Sequence, residues 1–255
     1  MSKKSNLVVG LILLSVITVS TAVYFVNKNR SKTPTNSQTN TIVSDNKTPQ
    51  KQPTASGFNK TKYSIDEPGS LWWIVNKNRA LPKGYVPPDL IVPDVKLRLA
   101  NTAEQMQFSK TAEPALISMF NAATKDGVSL IFGSGYRSES LQKQFYDSYV
   151  AKDGKEAADK YSAVPGTSEH QTGLAFDATS ASGKCHLEIC WAETPEGQWV
   201  KNNSYRYGFI VRYLDGKESV TTYQYEPWHL RYVGVELATE LHKTGQTMEE
   251  FFGPN

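Results

Sequence analysis

Residues 168–179 read SEHQTGLAFDAT and hold two potential metal ligands, His170 and Asp177, on either side of a turn at Gly173. If residues 174–177 enter a strand, the alternation of side chains places Ala175 and Asp177 on the same face of it. The loop before the strand can then fold His170 back beside Asp177. This stretch therefore predicts two ligands of a single site.

A second stretch, YEPWHLRYVG at residues 225–234, places Glu226 three residues before His229. Because Pro227 fixes φ and removes a backbone donor, we predict a rigid turn that leads into a strand. A lone His or Asp in a loop is usually a surface or capping residue. Two His and one Asp together, however, can form an open zinc site, and a nearby Glu that does not bind the metal can act as general base. The combination is typical of a hydrolytic zinc enzyme.

The surrounding sequence alternates between helical and strand patterns. Leu116, Met119, Phe120 and Ala123 have the spacing of one helical face, and Gly127 follows as a stop. Strands are predicted at residues 128–132, 209–213 and 228–233. Further helices are predicted after residue 138, where Leu141, Phe145 and Tyr149 mark one, and at Thr194-Pro195, which opens another. The last two predicted helices cover residues 235–243 and follow the capping box Thr247-x-x-Glu250. Short strands mixed with helices, without a regular βαβ rhythm, predict an α+β fold.

The composition excludes several classes of protein. Among the 255 residues, 17 Gly and 13 Pro are ordinary numbers, while 5 Trp and 13 Tyr require a hydrophobic core, which excludes collagen-like and wholly disordered chains. The formal net charge is only +3, and Lys and Arg are scattered along the chain. We therefore expect no nucleic-acid partner.

The N-terminal 30 residues differ from the rest of the chain. Two lysines precede the twenty uncharged residues 7–26, and basic residues follow them. Twenty residues form about 30 Å of helix, enough to cross a bilayer. We predict that residues 1–30 are an uncleaved transmembrane anchor, because the apolar run is longer than that of a signal peptide; the alternative is a signal segment cleaved near Ala22. Both interpretations mean export.

Residues 31–62 consist mainly of Ser, Thr, Asn, Gln, Pro and Lys. Such a segment cannot bury enough apolar surface to offset the cost of ordering the chain. We predict a disordered linker at residues 31–62 and a folded domain at residues 63–255.

Three motifs resemble those of the zinc D-Ala-D-Ala carboxypeptidases of the VanY and LdcB type, the M15 peptidases that trim bacterial cell-wall peptides. They are SGYRS at residues 134–138 with Gln142, SxHxxGxAxD from Ser168 to Asp177, and ExWH from Glu226 to His229. The order and separation of the motifs make the resemblance specific, and it covers residues 70–253. The fold that it implies is a small antiparallel sheet flanked by helices, of the D-Ala-D-Ala peptidase/hedgehog-like type, which agrees with the α+β prediction.

The resemblance also implies a role for individual residues. Zinc is expected on His170, Asp177 and His229, with Glu226 as the catalytic base. Arg137 is expected to face the terminal carboxylate of the peptide or the developing oxyanion. The expected substrate-binding residues are Arg137, Ser138, Gln142 and Ser168.

Arg137 has a second, independent rationale. A carboxypeptidase must recognise a free C-terminal carboxylate, and a planar guanidinium can do so with two parallel hydrogen bonds. The alternative for Arg137 is an exposed residue at a strand end.

Trp228 is expected to alternate away from His229 on a strand and to support the core.

Cys185 and Cys190 enclose His186 in the segment CHLEIC. A second metal cluster is conceivable, but the spacing is not that of a zinc finger and the chain enters an oxidising compartment. We therefore predict a local disulfide.

These observations predict a membrane-tethered zinc carboxypeptidase that removes the C-terminal D-Ala from bacterial peptidoglycan stem peptides. We expect a monomer on the cell-wall side of the membrane, secreted if the N-terminal segment is cleaved. The alternatives are an L,D-carboxypeptidase on tetrapeptide stems, a crosslink endopeptidase, and a non-catalytic, zinc-containing wall-binding module. Glu226 disfavours the last, since a structural zinc needs no base.

Overall fold

The computed structural model describes residues 57–253, which form a four-stranded sheet, a two-stranded sheet and the helices around them. The strands are β1 (Leu90–Ile91), β2 (Phe108–Ser109), β3 (Leu130–Ser134), β4 (Ala175–Ser180), β5 (Phe209–Tyr213) and β6 (Glu226–Tyr232). The α-helices are α1 (Glu113–Lys125), α2 (Glu139–Asp153), α3 (Lys155–Tyr161), α4 (Pro195–Asn203), α5 (Glu218–Thr221), α6 (Val235–Thr244) and α7 (Met248–Phe252). Short 3-10 turns cover Glu104–Met106, Glu169–Thr172, Ile189–Glu193 and Ser204–Tyr207.

The four-stranded sheet has the order β3-β4-β6-β5, and all neighbouring strands are antiparallel. The small antiparallel sheet with flanking helices confirms the predicted α+β fold. The two central strands, β4 and β6, carry two of the three sequence motifs and are buried along almost their whole length. The candidate metal-binding and catalytic residues on these strands thus lie in the most buried part of the sheet.

Helix α1 covers one face of the sheet with the side chains that its sequence pattern singles out. Leu116, Met119, Phe120 and Ala123 are all buried in the main core. The ring of Phe120 lies 6.1 Å from that of Phe176 on β4. Burying each large apolar side chain of this kind stabilises the fold by about 1.5–3 kcal/mol, so this face holds the sheet in place.

Two predicted elements are displaced in the structure. The strand predicted at residues 128–132 begins only at Leu130, because the backbone N–H of Val128 donates to the Ala123 carbonyl and closes α1. The turn predicted at Pro227 is instead part of β6, where the register with β5 shifts beyond Val211. Proline lacks a donor for a regular ladder and occurs in sheets at such irregularities.

The packed region begins before residue 63, so the predicted linker boundary needs correction. The ring of Phe58 stacks on Trp72 at 5.4 Å and meets the edge of Phe251 at 5.1 Å. This aromatic burial offsets the ordering of a segment whose average composition is polar. The remainder of the predicted linker, residues 31–56, lies outside the described residues.

The predicted anchor at residues 1–30 also lies outside the described residues. Within the range 57–253, none of the helices has both the length and the apolar character needed to cross a membrane.

Candidate metal centre and active site

A tight turn brings His170 to the first strand of the site. Residues Glu169–Thr172 form one turn of 3-10 helix, and Gly173 follows with φ at +71°. This left-handed conformation suits glycine, which has no Cβ to clash. The chain therefore reverses before β4, and His170 Nε2 lies 3.4 Å from Asp177 Oδ2.

Strand β6 supplies a second histidine to the same place. Asp177 on β4 and His229 on β6 are direct partners in the antiparallel register, so their side chains share a face. His229 Nδ1 lies 3.4 Å from Asp177 Oδ1. One ligand atom from each of His170, Asp177 and His229 lies within 4.8 Å of the other two, and all three residues are buried.

The chemistry of this cluster fits zinc. Asp177 Oδ1 is buried and has no hydrogen-bond partner among the described residues. Ligands of a tetrahedral zinc, each at about 2.0–2.2 Å from the metal, lie about 3.4 Å apart. Each imidazole lies at this distance from one of the two Asp177 oxygens. His170 Nδ1 lies 2.7 Å from the Gly135 carbonyl, a contact that assigns the proton to Nδ1 and leaves Nε2 free to bind a metal.

Glu226 lies at the start of β6, beside this cluster. Its Oε2 is 3.8 Å from His229 Nδ1, and its side chain is largely buried. Burial raises the pKa of Glu226 to about 7, although the nearby His229 acts in the opposite direction. A carboxyl group with a pKa near neutrality can both accept and donate a proton at physiological pH, as a general acid–base catalyst must.

Arg137 follows β3 and approaches the cluster at Asp177. Its Nη1 donates to Gln142 Oε1 at 2.9 Å, and its Nη2 lies 3.9 Å from Asp177 Oδ2. The Nε atom is buried without a hydrogen-bond partner among the described residues. Because an unpaired buried donor is costly, this guanidinium has unused capacity for an anionic ligand.

Ser138 and Gln142 make contacts within the protein, and their substrate contacts stay a prediction. Gln142 is 1% exposed, and its Nε2 donates to the Ala163 carbonyl at 2.7 Å, which turns its oxygen toward Arg137. Ser138 caps α2 by accepting from the backbone N–H of Leu141 at 3.2 Å. Both residues therefore support the arginine and its helix. Ser168, in contrast, lines the cleft.

The cleft in front of the cluster has a volume of about 300 Å³. His170, Asp177, His229, Glu226 and Arg137 all line it. Its other lining residues include Tyr149, Tyr161, Ser168, Leu187, Tyr213, Tyr223 and Trp228. The five residues with predicted chemical roles thus share one opening large enough for the end of a peptide.

Residues 105–235 match the sequence model of a family described as VanY: D-alanyl-D-alanine carboxypeptidase. The chain belongs to the VanY family. It is 44% identical over 189 residues to the putative carboxypeptidase YodJ of Bacillus subtilis (strain 168), covering 74% of this chain and 69% of that protein.

Two solved structures of VanY-type proteins resemble this fold. The LdcB LD-carboxypeptidase is 44% identical with a TM-score of 0.69, and the match covers 73% of this chain and 87% of that one. A mutant of the D,D-pentapeptidase VanY in complex with Zn(II) is 36% identical with a TM-score of 0.57, over 70% and 96% of the two chains. The protein is accordingly a zinc-dependent carboxypeptidase, which confirms the predicted enzyme class and cofactor.

The VanY motif also contains Glu169, which was not among the predicted site residues. Glu169 lies between Ser168 and His170, is 1% exposed, and directs Oε2 toward His229 Nε2 at 3.4 Å. The one indication in the sequence is that Glu169 lies inside the motif, directly before the predicted ligand His170.

Zinc binding to this VanY-family protein should depend on pH. Burial alone would lower the pKa of His229, but the Asp177 and Glu169 carboxylates raise it to about 9. The metal-free ring therefore carries a proton below about pH 9, and zinc must displace that proton. We expect apparent zinc affinity to rise about tenfold per pH unit from about pH 7 and to level off above about pH 9. Chelator competition at several pH values measures this slope, and an affinity independent of pH would contradict it.

Cys185 and Cys190 are joined by a disulfide bond, so neither sulfur is available as a thiolate ligand. His186 instead places Nδ1 3.1 Å from Thr179 Oγ1, next to the sheet. The loop also presents Leu187 to the VanY-type cleft. The disulfide thus closes a short loop at the mouth of the active site.

Reducing this disulfide should have a modest effect on stability. Closing so short a loop contributes about 2 kcal/mol on the chain-entropy estimate, equivalent to a change in Tm of about 4–8 °C for a domain of this size. Zinc should remain bound, because no metal ligand lies in the loop. Thermal melts and zinc content with and without reductant test this expectation. Loss of zinc on reduction, or two free thiols in protein recovered from cells, would contradict it.

Proposed function

We propose that the protein is a D,D-carboxypeptidase that removes the C-terminal D-Ala from peptidoglycan stem peptides. The observation that carries the proposal is the position of Arg137, whose buried Nε lacks a partner and whose Nη2 lies 3.9 Å from Asp177 of the metal cluster. A cation this close to a proposed zinc ligand would hold a free carboxylate one residue beyond the bond to be cleaved. That geometry favours an exopeptidase over a crosslink endopeptidase.

The proposed zinc ligands are His170, Asp177 and His229. Zinc bound there would acidify a water molecule and polarise the scissile carbonyl. Glu226 accepts the proton of the attacking water and then donates it to the departing amine of D-Ala. Arg137 pairs with the terminal carboxylate and keeps the peptide in register.

A second candidate is an L,D-carboxypeptidase that acts on tetrapeptide stems. It is favoured by the 44% identity to the LdcB LD-carboxypeptidase, whose structure also has the higher TM-score of the two described above. Both activities use the same metal cluster, base and arginine. They differ in the residue that precedes the cleaved bond, which the cleft must accommodate.

Mass spectrometry of defined muropeptides separates these candidates. We expect the zinc-loaded protein to release one D-Ala from a pentapeptide stem, and the tetrapeptide product to accumulate. Metal-stripped protein is the control. Shortening of tetrapeptides alone would replace the D,D assignment by L,D, and cleavage of crosslinked dimers would indicate an endopeptidase.

We also propose that the protein works outside the cytoplasm as a monomer, tethered by the apolar residues 7–26. The disulfide supports this localisation, because such bonds persist in oxidising compartments. All five residues with proposed chemical roles come from one chain, so the cleft needs no second copy. Cell fractionation and protease accessibility on intact cells test the proposed topology.

A further inference from the structure

A buried charge network adjoins the metal cluster, and its central residue, Glu169, also lines the cleft. Glu169 is at its centre and is almost completely inaccessible to solvent. Arg212 Nε donates to Glu169 Oε1 at 2.7 Å, and Arg231 Nη1 donates to the same oxygen at 3.0 Å. Two arginines on neighbouring strands thus hold one oxygen of the carboxylate.

The other oxygen of Glu169 faces His229. Glu169 Oε2 lies 3.4 Å from His229 Nε2, while His229 Nδ1 lies 3.4 Å from Asp177 Oδ1 on the opposite side of the ring. The imidazole is therefore placed between two carboxylates. One of them belongs to the metal cluster and the other does not.

We infer that Glu169 is a positioning residue that keeps the proton of His229 on Nε2 and directs Nδ1 at the metal. Partners of this kind orient a metal-bound histidine and make it a stronger ligand. His170 shows the converse arrangement, since its Nδ1 is held by the Gly135 carbonyl and its Nε2 faces the cluster. The inference rests on the metal-ligand role proposed above for His229.

The network fixes Glu169 from several directions. Arg212 also pairs with Glu249 on α7, at 2.6 and 2.8 Å. Arg231 also donates to the carbonyls of Leu71 and Trp73. Both arginines are anchored elsewhere, and Glu169 is the only carboxylate that pairs with Arg231 among the described residues, so rotation of Glu169 would leave the charge of this buried cation uncompensated. This bracing gives Glu169 the fixed orientation that a positioning residue needs.

A matched pair of variants tests the inference in the full chain. Glu169→Gln and Glu249→Gln each remove one negative charge from the partners of Arg212, but only Glu169 contacts His229. We expect Glu169→Gln to weaken zinc affinity about 10- to 100-fold and Glu249→Gln to leave it nearly unchanged, measured by competition with a chromophoric chelator. Equal losses in the two variants would mean that the network acts only on overall stability, and would overturn the inference.

Nitrogen NMR of the zinc-loaded wild-type protein gives a test that does not depend on a variant folding. The expected spectrum has His229 protonated at Nε2 and zinc-bound through Nδ1. Coordination through Nε2, with the proton on Nδ1, would overturn the inference. Neither measurement uses a peptide, so failure of the D,D assignment would not alter the result of either. Zinc retention by a His229→Ala variant, in contrast, would refute the proposed set of zinc ligands.

Discussion

Replacing Glu226 with glutamine is expected to lower kcat about 10³- to 10⁴-fold while zinc remains bound. The amide has the size of the carboxylate but cannot take the proton of the attacking water. Glu226 is not part of the three-residue group that can hold a metal, although its Oε2 lies only 3.8 Å from His229 Nδ1. The variant should therefore separate metal binding from proton transfer.

Metal analysis and D-Ala release, measured on the same preparations, check this prediction. His170→Ala and His229→Ala are the comparison variants, and each should lose zinc because a ligand is removed. The assignment would be reversed if Glu226→Gln lost its zinc while both histidine variants kept theirs. A melting temperature close to that of the wild type would show that Glu226→Gln remains folded.

Arg137→Ala should reduce kcat/KM for a stem peptide by about 100-fold or more, which corresponds to about 3 kcal/mol of lost transition-state stabilisation. Arg137 is the cation placed to meet the free carboxylate, and its buried Nε has no other partner among the described residues. Arg137→Lys keeps the charge but loses the planar pair of donors, so its kcat/KM should lie between those of Arg137→Ala and the wild type.

Amidating the C-terminus of the peptide removes the other partner of the same contact. Amidation should lower the kcat/KM of the wild-type enzyme by a similar factor. It should lower the kcat/KM of Arg137→Ala only slightly further, because both changes delete the same interaction. Steady-state kinetics of two enzymes with two peptides complete the cycle. If the amidated pentapeptide were cleaved as fast as the free acid, the role of Arg137 as the carboxylate anchor would be wrong.

Local sequence signals predicted five of the seven α-helices in the described residues, all but α3 and α5, because the causes of a helix are local. The apolar face of α1 and the capping box at Thr247 depend on residues three or four positions apart, and both occur in the structure. The helix predicted after residue 138 is also present as α2, although the side chain that it buries is Gln142 while Tyr149 of the pattern is exposed. A polar residue can replace an apolar one at such a position when the rest of the fold satisfies its hydrogen bonds.

By itself, the sequence determined the chemical types of the site: His170, Asp177, His229 and Glu226 lie in motifs short enough to be recognised from their spacing. How these residues are supported depends on contacts that form only in the folded protein. Glu169 contacts Arg212 and Arg231, which are 43 and 62 positions away along the chain. No local pattern relates residues at such separations, because the contact depends on which strands become neighbours in the sheet. Burial makes these contacts essential, because a charge removed from water destabilises the fold unless opposite charges lie next to it.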